Sequence, residues 1–129
     1  MTIRYLELEE LLRLHFQVIV DFGGSHGVRD EGRLKSVVEA PKQYVFAKQQ
    51  YETVYEKAAV HLWNIVGDHP FIDGNNRTAL LSCGIFLSRN GIEIIAAPKD
   101  LEDFTVTVAT KHLDTSEISA WLKSHTCKQ

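Results

Sequence analysis

The chain has 129 residues, 44% of them hydrophobic, and a formal charge of −3, which fits one domain spanning residues 1–129 with apolar content enough for a core without metal or disulfide staples. The mildly acidic balance argues against a nucleic-acid partner, which needs a basic face against backbone phosphates. No run approaches the roughly 18 apolar residues of a membrane span, the first residues turn acidic at Glu7 where a leader peptide needs an apolar core, and Cys83 and Cys127 have neither metal-ligand spacing nor a secreted scaffold's density, so no membrane partner and a cytoplasmic location are expected.

Leu8, Leu11, Leu12, His15, Ile19 and Phe22 recur at helical spacing behind Glu7, Glu9 and Glu10, predicting a first helix over residues 6 to 22 that stops at Gly23-Gly24. Asp30 suits the N-cap of a short helix carrying Leu34, Val37 and Val38, which Pro41 ends. Residues 42 to 52 mix the β-forming Tyr44-Val45-Phe46 with polar Lys48-Gln49-Gln50 and read as an exposed, partly extended flap. Thr53 and Glu56 have capping-box spacing, followed by the stripe Tyr55, Ala58, Ala59, Leu62 and Val66. Gly67 suits the C-cap of that helix, and Pro70 biases His69 toward an extended conformation. Asn75 or Asn76 can cap the next helix, which carries Ala79, Leu80, Cys83, Gly84 and Leu87 and ends at Asn90-Gly91. Ile92, Ile94 and Ile95 form a short apolar connector to a helix opened by Pro98 and bearing Leu101, Phe104, Val108 and Ala109. Asp114 or Thr115 caps a last helix with Ile118, Trp121 and Leu122. The pattern predicts an all-α fold: a single helical domain of about six helices with a short extended flap.

Between the two best-marked helices lies His69-Pro70-Phe71-Ile72-Asp73-Gly74-Asn75-Asn76-Arg77. The first N–H groups of a helix lack internal partners and carry partial positive charge, so those around Gly74 to Arg77 can cradle phosphate oxygens, and glycine lets the backbone come close. Arg77 has a planar fork suited to phosphate and stays charged at any relevant pH; alone, it reads equally as a surface or ion-paired arginine. Asp73 offers the hard oxygen ligand Mg²⁺ takes beside phosphate, or else a plain Asx-turn. His69 can accept a proton from an attacking hydroxyl, worth about 10²–10⁴ in rate, although a single histidine is more often structural. Phe71 is expected to anchor the loop in the core. The other histidines and the two tryptophans read as structural.

The run His-Pro-Phe-x-Asp-Gly-Asn-x-Arg resembles the active-site motif of the Fic/Doc superfamily. Phe22-Gly23-Gly24, Gly27-Val28-Arg29-Asp30, the helix leading to Ala40-Pro41, Glu56-Lys57-Ala58-Ala59 and Phe86-Leu87-x-x-Asn90-Gly91 extend the resemblance, in order, to its death-on-curing (Doc) branch. That resemblance implies a helical fold and transfer of a nucleotide-derived phosphate moiety to a protein hydroxyl. His69 would be the base, Asp73 the Mg²⁺ ligand, and Gly74, Asn75, Asn76 and Arg77 the phosphate site, with ATP as co-substrate. Tyr44, Val45 and Phe46 would belong to the flap that docks the target. It also implies a toxin of a toxin–antitoxin module that phosphorylates a translation elongation factor, until the C-terminal segment of an antitoxin silences it near the active site. AMP transfer (AMPylation) by a Fic-type enzyme, and a catalytically weak antitoxin-binding protein, are the alternatives. Fic-type motifs usually carry Gly in place of Asn76 and a second Arg in place of Leu80, and Doc-type motifs usually carry Lys in place of Asn76. Asparagine donates a hydrogen bond but supplies no charge. No stretch fits the self-inhibitory Ser/Thr-x-x-x-Glu-Gly/Asn element of many Fic proteins.

Overall fold

The structure is a computed structural model describing residues 2–129, and within them six α-helices surround a core centred on the third. Helix α1 (Leu8–Phe22) begins two residues later than the periodicity predicts, because Glu7 and Glu10 close a capping box that fixes the first turn. Leu6 is buried just ahead of it. Its inner face is Leu11, His15, Val18 and Ile19, and Gly23, at φ 88°, ends it by donating its N–H to the Ile19 carbonyl. Helix α2 (Glu31–Glu39) is capped by the Asp30 carboxylate, which accepts from the Arg33 N–H at 3.0 Å. A single 3₁₀ turn, Ala40–Lys42, follows.

Strands β1 (Tyr44–Val45) and β2 (Lys48–Gln49) form the predicted flap as a tight antiparallel hairpin, with Tyr44 opposite Gln49. It turns through Phe46 and Ala47, both at positive φ, the geometry that matches the twist of a two-residue hairpin.

Helix α3 (Val54–Asp68) starts at Thr53, whose hydroxyl accepts from the Glu56 N–H, and it packs against α2, α4, α5 and α6. Ala58, Ala59, Leu62, Ile65 and Val66 are buried on it. Helix α4 (Asn75–Arg89) packs against it and buries Ala79 and Cys83, with the Cys83 Sγ 3.8 Å from the Ala58 carbonyl of α3; burial pushes the Cys83 thiol up to about 12. On this contact the buried His61 Nε2 lies 2.7 Å from the Ser82 Oγ, which donates to the Thr78 carbonyl at 2.6 Å. Helices α5 (Pro98–Lys111) and α6 (Thr115–Ser124) complete the bundle, α6 opening on a capping box between Asp114 and Glu117.

Three local expectations are corrected. The connector after α4 is a strand, β3 (Ile92–Ile94), because it meets β4 (Thr126–Lys128) in an antiparallel ladder, Ile92 opposite Lys128. Gly67 does not cap α3; the helix runs on to Asp68, and His69 takes the left-handed C-cap at φ 48°, ψ 61° rather than an extended conformation. Proline disfavours the right-handed helical region at His69, and the left-handed turn lets the His69 N–H keep its bond to the Ile65 carbonyl. Finally, neither Asn75 nor Asn76 caps α4: Gly74 does, at φ 72°, with Asn75 the first helical residue.

Candidate active site

The end of α3 and the start of α4 hold the loop His69–Gly74 between them, and segments from earlier in the chain clamp it on both sides. On one side, residues 27 to 30 run alongside it. The Ile72 N–H donates to the Gly27 carbonyl, the N–H groups of Arg29 and Asp30 both donate to the Pro70 carbonyl, and Val28 and Phe71 form an antiparallel bridge. The Arg29 guanidinium donates to the carbonyls of His69 (2.6 Å) and Asp68 (2.5 Å). On the other side, α1 supplies His15. Its ring stacks on Phe71 at 3.8 Å between centroids, and its Nε2 lies 2.8 Å from the Asp73 carbonyl, placing the hydrogen on Nε2. Phe71 is fully buried, the core anchor that the sequence suggests.

The Asp73 carboxylate accepts from the Gly74 N–H (2.9 Å) and from the Ser25 N–H (3.2 Å). A Cβ on Gly24, at φ 112°, would stand 2.7 Å from the Asp73 Oδ2, so the second glycine of the pair is there to admit this side chain. Asp73 is solvent-exposed, and each oxygen keeps a lone pair beyond its single N–H partner. Among the described residues no three His, Cys, Asp or Glu side chains gather as a metal cage. One exposed carboxylate beside a helix N-terminus suits Mg²⁺, which keeps several waters and takes few protein ligands.

Asn75 is buried and turned inward: its Oδ1 accepts from the Phe71 N–H (3.0 Å) and its Nδ2 donates to the Phe71 carbonyl (2.9 Å). That pair fixes the amide's orientation, so the Nδ2 also faces the His69 Nδ1, at 3.4 Å. A donor there directs the lone pair of a neutral imidazole to Nδ1. The Asn75 side chain therefore belongs to the loop's framework, leaving its backbone N–H for a ligand.

In front of the loop opens a cleft of about 930 Å³ between α4, β3 and α5. His69, Asp73, Gly74, Asn75, Asn76 and Arg77 line one end of it, so the predicted chemical groups do converge. The Arg77 guanidinium lies over the Phe22 ring at 3.8 Å and 3.7 Å from the Glu102 carboxylate of α5; both partners are exposed, a contact a stronger anion can displace. Arg77 is the only cationic side chain lining the cleft among the described residues. Beyond it the wall is apolar, with Leu80, Leu81, Ile85, Ile94, Leu101 and Val106.

The flap residues do not join this cluster. Tyr44, Val45 and Phe46 are exposed, Phe46 at 97%, on a hairpin seated over the first turns of α3. There the fully buried Lys57 donates to the Gln49 Oε1 at 2.5 Å and to the Tyr51 carbonyl. Burial lowers the pKa of that amine. From Lys57 to His69 is about 18 Å along the helix axis.

Sequence reasoning missed His15, Gly24, Ser25 and Arg29 as parts of the site. The second glycine of Gly23-Gly24 was the available signal, since one suffices to end a helix.

In this helical domain one end of the cleft gathers a histidine, a carboxylate, a helix N-terminus and an arginine, groups whose chemistry suits phosphate. The chain belongs to the Fic/DOC family, whose model matches residues 5–87. It is similar to "Protein kinase doc" of Escherichia phage P1, 34% identical over 120 residues covering 93% of this chain and 94% of that protein. It is also similar to "Toxin Doc" of Mycolicibacterium smegmatis, 36% identical over 121 residues covering 92% and 90% respectively.

Proposed function

We propose that the protein is a Doc-like toxin that transfers the γ-phosphate of Mg·ATP to a Ser or Thr hydroxyl of a translation elongation factor. The observation that carries the choice of group is Leu80, which presents an apolar side chain to the cleft where AMP-transferring members of the family usually have a second arginine. With Arg77 as the single cation there, the site is suited to gripping one phosphoryl group rather than a spread triphosphate. The phage P1 relative, named a protein kinase, points the same way.

In this reading the target hydroxyl gives its proton to His69 at Nδ1, replacing the long contact with the Asn75 amide. Arg77 leaves Glu102 for the transferring phosphoryl group, and the N–H groups at the start of α4 receive its oxygens. Mg²⁺, held by Asp73 with waters and phosphate oxygens, would neutralise charge that builds on the phosphates. The exposed hairpin, remote from His69, would meet the target at a second point. The apolar wall of α4 and α5 would receive the C-terminal segment of an antitoxin.

Parallel incubations with α- and γ-labelled ATP, purified elongation factor and whole bacterial lysate decide the matter. γ-Label is expected on protein, and His69→Ala is expected to abolish it. Transfer of α-label establishes AMP transfer instead, and label retained in the His69→Ala protein overturns the role of the base. Transfer of neither label by a protein that still binds an antitoxin favours the weak-enzyme alternative.

A further inference from the structure

His69 sits in an unusual backbone state: a non-glycine residue in the left-handed region, directly before a proline, at the end of a helix. Left-handed geometry is unfavourable for an L-residue and persists only where surroundings impose it. The last carbonyls of a helix also lack internal partners and carry partial negative charge. Both demands are met here by one short segment. Arg29 lays its guanidinium across the carbonyls of Asp68 and His69, and its own N–H, with that of Asp30, takes the Pro70 carbonyl. Three successive carbonyls around His69 are thus held from outside the helix, two of them by one rigid fork.

We propose that Arg29 is a positioning residue for His69, acting through the backbone: its guanidinium fixes the turn that aims the imidazole into the cleft. The assignment rests on the reading of His69 as the base. Lysine would supply charge at the helix end but could not span two carbonyls in one plane. Arg33 joins from the first turn of α2, its Nη1 3.2 Å from the Asp68 carboxylate, a contact with the side chain and not with the backbone of the turn. The role of the Gly27-Val28-Arg29-Asp30 run is then to carry a C-terminal cap for a helix far along the chain.

The test is Arg29→Ala and Arg29→Lys, with γ-label transfer to purified elongation factor and hydrogen exchange measured in parallel. Misplacement of a reacting group by about 1 Å costs up to about 10²-fold in rate. The alanine variant is therefore expected to lose tenfold to a hundredfold in kcat while its KM for Mg·ATP stays within about twofold. The lysine variant should recover little. Guanidinium ion below denaturing concentrations should restore part of the alanine variant's kcat, and sodium at equal ionic strength should not. In exchange, the His69 and Ile72 amides, bonded to Ile65 and Gly27, should lose protection while those of mid-α4 keep theirs. A folded Arg29→Ala protein with wild-type kcat, or with unchanged protection at His69 and Ile72, overturns the assignment. Wild-type protein that transfers no label overturns the kinase reading instead, and the exchange comparison still decides whether Arg29 holds the turn.

Discussion

At the scale of single residues, Asn76 carries the most information per atom. It is exposed on the first turn of α4, lines the cleft beside Arg77, and is neutral where both branches of the family are usually otherwise occupied. Asn76→Lys places a second cation at the phosphate end of the cleft. A cation at a helix N-terminus opposes the dipole by about 0.3–1 kcal/mol, whereas a charge-assisted bond to phosphate contributes more than that. Mg·ATP affinity is therefore expected to rise about threefold to tenfold at the expense of a slightly lower melting temperature. Calorimetric titration and a thermal melt read the two effects separately; unchanged affinity would mean that position 76 does not face phosphate. His69 gives the complementary lesson. Its place at the end of α3 is legible from the stripe Tyr55 to Val66 and from Pro70, but its left-handed turn is not, because Arg29 makes that turn from forty residues away.

Helices whose signals are local were the legible elements. Thr53 with Glu56 and Asp30 ahead of Leu34 each carry their cap within one turn, and both helices start where the cap predicts; of the two candidates for the last helix, Asp114 and Thr115, Asp114 is the cap. Strand β3 was illegible for the opposite reason: three residues become a strand only because residues 126 to 128 lie against them. The α3–α4 contact holds one imperfection. Among the described residues, Thr78 Oγ1 is the buried side-chain oxygen or nitrogen without a hydrogen-bond partner, since Ser82 takes the Thr78 carbonyl and His61 takes Ser82. Leaving a buried hydroxyl unpaired costs about 1–3 kcal/mol, part of which an apolar replacement removes. Thr78→Val is thus expected to be neutral or to stabilise by up to about 1 kcal/mol in urea unfolding. A loss of 1 kcal/mol or more would show that the hydroxyl has a partner, such as a buried water.

The whole molecule should be acid-sensitive through its interior. Burial pushes His61 down to about 4 from the ordinary 6.5, and burial also lowers His15. The folded state therefore keeps His61 neutral while the unfolded chain takes up a proton. Stability is full above pH 6.5, falls as pH drops from 6.5 toward 4, and loses no more through this group below 4. At about 1.36 kcal/mol per pH unit the loss is on the order of 3 kcal/mol, a large part of a small domain's total. His61→Gln, which can still reach Ser82, is expected to flatten the urea-unfolding profile over that window. A variant as acid-sensitive as the wild type over that window would assign the loss to the other histidine whose pKa burial lowers, His15. The site itself is spread over the chain in the same way as its interior, with α1, residues 24 to 30 and the loop after α3 all contributing.

That spread sets a timetable for synthesis on the ribosome. His15, Gly24, Ser25 and Arg29 emerge first and have nothing to hold until the loop carrying His69 and Asp73 follows them, 58 residues later in the case of His15 and Asp73. The wall of the cleft at Leu101 and Val106 comes later still. A nascent chain therefore displays its clamp well before the loop that the clamp holds, and completes the cleft only after most of its length has been made.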